Sequence, residues 1–184
     1  MTLAQALARN SDGCDDRGVK ARAEVQLHLL RHAHAGDPMK WRGPDDVRPL
    51  SEKGRLQAER LGLFLAGAGF EPDAIISSPK TRALETARMV AAPLGLPVRV
   101  DDALAGLLDI DALEALLDSS GDPRRPLLVG HDPDFSQLAA DLTGLADLPV
   151  RKGALVRIDL VRPIEGGAGL LRWLLPPDLL AVPD

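Results

Sequence analysis

Val25-Gln-Leu-His-Leu-Leu-Arg-His32 is the stretch that decides the fold. Its six leading residues are mostly apolar, too short a run for a helix, and bounded by polar side chains. They read as a buried strand with Arg31 and His32 at its C-terminal end. The same sign recurs downstream. Ala74-Ile-Ile-Ser77 runs into Ser78-Pro79, where serine suits an N-cap and proline a first helical position. Pro126-Leu-Leu-Val-Gly130 is followed by His131 and by Asp132-Pro133, a second helix opening of the same kind.

Helical spacing fills the intervals. Ser51 is placed to cap a helix whose Gly54, Ala58, Leu61, Leu65 and Ala68 fall on one face, with Gly67 and Gly69 as its stop. Ala83, Ala87, Val90 and Leu94 mark a second helix, Asp111 to about Leu117 a less regular third, and Phe135, Leu138, Ala139 and Leu142 a fourth ending at Gly144. Residues 96–100 suit a further short strand. Near the end, Val156, Ile158 and Leu160 alternate with Arg157 and Asp159, and Gly166-Gly167 separates them from the apolar Leu170 to Leu175, as in a β-pair. Strands alternating with helices predict an α/β three-layer sandwich, a mainly parallel sheet flanked by helices with an antiparallel edge from the last pair.

At 184 residues the chain suits one domain. That domain is expected over residues 25–184, after an N-terminal extension, residues 1–24, that shows little apolar periodicity and at most one weak helical turn. Hydrophobic residues make up 45% and charged ones 27%, with no apolar run long enough to span a bilayer, so no membrane association is expected. A net charge of -5 speaks against nucleic acid as a partner and requires any anionic substrate to meet a local basic pocket. The single cysteine, Cys14, excludes an intrachain disulfide framework, and no secretory leader opens the chain, so a cytoplasmic location is expected.

In parallel sheets ligands collect beyond the C-terminal strand ends. Arg31-His32, Ser77-Ser78 and His131 all fall there, although they are far apart in sequence. A phosphoryl group needs cationic charge and fork-like donors, which Arg31 supplies and which Arg82, in the first turn of the second helix, can bring to the same mouth. Neutral histidine is a competent nucleophile, and a second histidine can donate to a non-bridging oxygen. Such a set works by positioning and electrostatics, with no metal and no cofactor.

Leu-Leu-Arg31-His32-Ala, Arg48-Pro-Leu-Ser-Glu-Lys-Gly54 with Gln57-Ala58, Ser77-Ser-Pro-Lys-Thr-Arg82-Ala-Leu-Glu-Thr-Ala87 and Val129-Gly-His131 together resemble the histidine phosphatase, or phosphoglycerate-mutase-like, superfamily. Their order and spacing, and the closing Trp173-Leu-Leu-Pro-Pro177, look like its small bacterial phosphohistidine phosphatase branch. The resemblance covers residues 25–177. It implies a phosphohistidine intermediate on His32, with Arg31, Arg82 and His131 around the phosphate, Arg48 as a further substrate contact, and a phosphorylated substrate, a phosphohistidine-bearing signalling protein among the candidates. Two positions depart from the family pattern: Ala33 replaces a glycine, and Glu85 stands where many relatives carry glutamine. No general acid can be assigned among Asp101, Asp102, Asp109, Asp111 and Glu114. Without one, a leaving group that departs neutral, such as phosphohistidine, is favoured over an alkoxide.

Plainer readings stand beside these. His28, inside an apolar strand, is expected to be an interior side chain, and His34 a loop residue. Arg48 reads equally well as a surface arginine, and Asp132 as a cap. His32-Ala-His34 with Asp37 faintly resembles a two-metal hydrolase, but four histidines in the whole chain supply such a site poorly. A small-molecule phosphoester or nucleotide phosphatase of the same fold, and a non-catalytic phosphate-binding module, are the alternative functions.

Overall fold

The computed structural model describes residues 23–180. The expected extension therefore lies outside the described residues, except for Ala23 and Glu24. These two belong to the first strand, which starts earlier than the apolar run because Ala23 and Glu24 pair with Arg162 and Val161 of a neighbouring strand.

Six strands form one sheet: β1 (Ala23–Arg31), β2 (Ala74–Ser77), β3 (Val98–Val100), β4 (Pro126–Gly130), β5 (Leu155–Arg162) and β6 (Leu170–Leu175). Their order is β3-β2-β4-β1-β5-β6. The first four run parallel, and β5 and β6 add antiparallel, as the alternating pattern near the chain's end predicts. Four helices cover the sheet: α1 (Glu52–Gly67), α2 (Thr81–Leu94), α3 (Ile110–Ser119) and α4 (Asp134–Thr143).

The strand period of two separates the two cores. Leu27 and Leu29 of β1 turn to one face, where they join Leu113 and Leu117 of α3 and Phe135, Leu138 and Leu142 of α4. Leu30 turns to the other face, with Leu61 and Leu65 of α1 and Ala83, Ala87 and Val90 of α2. His28 shares that second face. It is 2% exposed, bonds Pro126 O through Nδ1 at 3.2 Å and meets the ring of Phe70 edge-on at 4.8 Å, the interior role expected for it.

Three boundaries differ from expectation, each for a local reason. Residue 96 is not in β3, because Leu96 N closes the C-terminal turn of α2 onto Ala91 O. Helix α3 begins one residue early, where the Asp109 carboxylate accepts from Ala112 N at 2.8 Å. Ser78-Pro79 does not open α2. The helix starts at Thr81 after an uncapped Lys80, and the Ser78 hydroxyl accepts Lys80 N at 3.3 Å and bonds a histidine of the site.

Candidate active site

The C-terminal ends of β1, β2 and β4 meet in one mouth, and the four residues expected to form the site converge on it. His32 follows β1 directly, and its backbone N donates to Gly130 O at 3.0 Å, which fixes the end of β1 against the end of β4. The side chain is 5% exposed. Its Nδ1 lies 2.8 Å from Ala33 O. A carbonyl only accepts, so Nδ1 carries the proton and the lone pair is on Nε2. Arg82 Nε donates to that Nε2 at 3.3 Å. Burial, reinforced by the charges of Arg82, Arg31 and Lys152 and opposed by the Ala33 carbonyl, lowers the His32 pKa to about 3, so the ring is neutral at neutral pH.

His131 stands beside it, the ring centroids 5.2 Å apart. Its Nε2 is 2.8 Å from Ser78 Oγ, and its buried Nδ1 has no partner. Burial, with the His32, Arg82 and Lys80 charges, lowers its pKa to about 3 as well. Arg31 donates from Nη1 to Val150 O at 2.8 Å and pairs with Asp132 at 3.3 Å, while its buried Nε has no partner. A buried donor without an acceptor is costly. Among the described residues three buried side-chain polar atoms are orphaned, and two of them are His131 Nδ1 and Arg31 Nε. A ligand rich in acceptor oxygens would satisfy both.

Arg48 is not a surface arginine: it is 7% exposed, donating from Nη1 to Ala35 O at 2.6 Å and from Nε to the Asp45 carboxylate at 2.8 Å. Those bonds commit it to holding the loop that follows His32. Asp132 does act at its helix, with Oδ1 accepting from Ser136 Oγ at 2.6 Å, while its other oxygen faces Arg31. His34 is a loop residue as expected, its Nδ1 2.7 Å from the Ser51 hydroxyl. None of the five acid candidates bonds a side chain of the site. Asp101 serves Ala103 N and Arg99, Asp109 caps α3, Glu114 pairs with Arg162, and Asp102 and Asp111 are exposed.

Several contributors were given no role at the site from sequence. Asp45 accepts Arg82 Nη2 at 3.0 Å as well as Arg48, and the Arg48 hydrogen bond holds its carboxyl below the usual range, which unsuits it as a proton donor. Its only sequence signal is the i,i+3 spacing to Arg48. Thr86, one turn after Arg82, donates to Arg82 O at 2.7 Å and accepts from Ala33 N at 3.1 Å, buckling the nucleophile's loop to α2. Gln57 Oε1 receives His34 N at 3.0 Å. Gly54 touches the same loop, and a Cβ there would lie 1.9 Å from His34 O, a contact that leaves room for glycine alone. Of the two departures from the family pattern, the Ala33 methyl packs in a small core with Ala35, Leu50 and Ala58, and Glu85 receives Leu50 N at 2.8 Å.

Beside Arg48 a hollow of about 260 Å³ is bordered by Gly36, Lys40, Trp41 and Ser51. A larger cavity of about 430 Å³, next to His28, Phe70 and Trp173, shares no residue with the site. No group of three or more His, Cys, Asp or Glu among the described residues is arranged to hold a metal ion. No helix among them is long and apolar enough to cross a membrane.

Fold and site together define a class: an α/β chain with two buried histidines beside arginines at the C-terminal ends of its parallel strands. The family model of the histidine phosphatase superfamily (branch 1) matches residues 27–120. An uncharacterized protein of Picosynechococcus sp. is 31% identical over 118 residues, 62% of this chain and 71% of that one. The protein histidine phosphatase SixA, solved with tungstate, superposes with a TM-score of 0.73 at 26% identity over 85% of this chain and 100% of that chain. The alpha-ribazole phosphatase of Shigella flexneri gives 0.65 at 20% identity over 83% and 97%, a likeness of fold. The chain belongs to the histidine phosphatase superfamily, and its architecture is the phosphoglycerate-mutase-like one.

Proposed function

We propose that this phosphatase works through a covalent phosphohistidine on His32 and that its substrate is phosphohistidine in proteins, a phosphohistidine-bearing signalling protein being its partner. The observation that carries the reading is His32 itself: buried, neutral, protonated on Nδ1 and directing an Nε2 lone pair into a cationic mouth. In the first step Arg82 turns from Nε2 to a phosphoryl oxygen. Nε2 attacks phosphorus, the N–P bond forms as the bond to the leaving group breaks, and the leaving group takes the electron pair. The Nδ1 proton stays on the ring, so phosphorylated His32 is an imidazolium whose charge Ala33 O and the dianionic phosphoryl group balance. Water then attacks phosphorus, His32 departs neutral, and dihydrogen phosphate leaves. His131 and Arg31 offer their unpaired nitrogens to the equatorial oxygens in both steps.

The preference for phosphohistidine rests on the leaving group. Of the carboxylates near the mouth, Asp45 and Asp132 are held by arginines and Asp46 by Lys80, and Asp134, whose pKa burial raises, bonds no side chain of the site. A phosphorylated imidazole whose second nitrogen is protonated departs as neutral imidazole and needs no acid, whereas an alkoxide gains about 10²–10⁴-fold from one. A cytoplasmic location, and the absence of nucleic acid or membrane as partners, belong to the same reading and rest on the acidic, single-cysteine sequence.

The test is incubation with phosphoramidate in excess chelator, followed by turnover of a phosphohistidine peptide beside a panel of sugar phosphates and nucleotides. An acid-labile, alkali-stable label is expected, lost with turnover in His32→Ala. Label that survives the substitution overturns the nucleophile, and faster turnover of a phosphoester overturns the substrate.

A further inference from the structure

We infer that Lys152 is a further substrate-binding residue, its ammonium contacting the non-bridging oxygens of the phosphoryl group. This rests on the reading of the mouth as a phosphoryl site.

The residue sits in a turn sewn to the two residues at the end of β1. Gly153 N donates to both Arg31 O and His32 O at 3.1 Å, Arg31 N donates to Ala154 O at 3.1 Å, and Val150 O receives Arg31 Nη1 at 2.8 Å. The turn closes on itself through Ala154 N and Arg151 O at 2.8 Å, with Gly153 at φ 78°, a left-handed value suited to glycine. Lys152 is thus one residue from the donor that grips the nucleophile's own carbonyl.

Charge at the mouth points the same way. Arg31 is paired with Asp132, Arg48 and Arg82 with Asp45, and Lys80 with Asp46. Lys152 makes no ion pair or hydrogen bond among the described residues, and the acidic group acting on it is Asp37, from a distance. Partial burial and the like charges of Arg31, Arg48 and Arg82 depress its pKa. A half-buried ammonium subject to the like charges of three guanidiniums gains from the entry of an anion. Arg31, Arg48, Arg82 and Lys152 outnumber Asp45, Asp132 and the more distant Asp37, which leaves the mouth with an excess of positive charge for a phosphoryl anion. Arg48 gives Nε and Nη1 to the loop, and Lys152 adds a cation to the same mouth that is not held by a carboxylate among the described residues.

The experiment compares the full chain with Lys152→Met and Lys152→Arg, using tungstate affinity and the kinetics of the phosphohistidine peptide. Lys152→Met is expected to weaken tungstate binding and raise KM by about 10-fold or more, the loss of one charge-assisted hydrogen bond, with a smaller change in kcat. Lys152→Arg should return both to within a few-fold. A second measurement on the unaltered protein removes dependence on folding of the variants: amine acetylation read by mass spectrometry with and without tungstate, in which Lys152 should be protected and Lys53 should not. Lys152→Met within two-fold of the parent, or equal acetylation of Lys152 in both samples, overturns the assignment, provided the parent is labelled on His32. A parent that is neither labelled nor active counts against the phosphoryl-site reading itself.

Discussion

Acidification from about pH 7.5 to about pH 5 should cost the fold on the order of 6 kcal/mol, through three histidines. His28 titrates at about 4, His32 and His131 at about 3, and burial is the leading cause for each. In the unfolded chain all three take up a proton near pH 6.5. A base whose folded pKa lies below its unfolded one makes the unfolded state the better proton binder, so stability is complete above about pH 6.5 and falls with pH until the folded values are reached. At pH 5 each ring withholds about 2 kcal/mol. Asp134 works in the opposite sense, since burial raises its pKa and the folded state gains a proton earlier there. A domain of this size has on the order of 5–15 kcal/mol to lose. Urea unfolding at a series of pH values measures the slope. His28→Gln, which keeps a donor for Pro126 O, should remove about 2 kcal/mol of the difference between the two pH values without touching the site. A midpoint that is flat across the range, or a slope unchanged in His28→Gln, would refute the reasoning.

Arg82→Ala should weaken tungstate binding by about 10-fold or more, and Asp45→Asn, which frees the guanidinium, should tighten it by a few-fold; isothermal titration reads both, and unchanged affinity in Arg82→Ala removes that residue from the site. Gly54→Ala should lose about 3 kcal/mol or more in urea unfolding, because the new methyl meets the His34 carbonyl rather than a flexible side chain. A loss below about 0.5 kcal/mol would show that the loop yields easily.

The parallel half of the sheet was legible because its strands are short apolar runs with polar ends, and β2 and β4 have the bounds read from sequence. Helix α1 was legible through its serine cap, where Ser51 receives Gly54 N. Ser78 misled for an instructive reason. A serine before a proline satisfies the local rule for a cap, but its hydroxyl accepts only Lys80 N, ahead of the helix, and is shared with His131, 53 residues away in sequence. The convergence of His32, Arg82 and His131 follows from strand-end geometry, which a sequence displays. What Arg48 and Asp45 do depends on a loop without periodicity, so neither the burial of Arg48 nor the bridging carboxylate left a strong trace. Lys152 was silent because nothing in Arg-Lys-Gly distinguishes a solvated lysine from a half-buried one beside the end of β1.

Asp45 has a kinetic meaning. If His32 turns over phosphate as proposed, the carboxylate is in place to recapture Arg82 each time inorganic phosphate departs, so product must compete with a ligand tethered to the same chain. On that reading free phosphate meets a pocket that is already partly neutralised, which favours its release. On the proposed reading the tether weakens the phosphoryl contact of substrate and product alike, so any preference for a phosphorylated protein over free phosphate comes from contacts beyond the phosphoryl group.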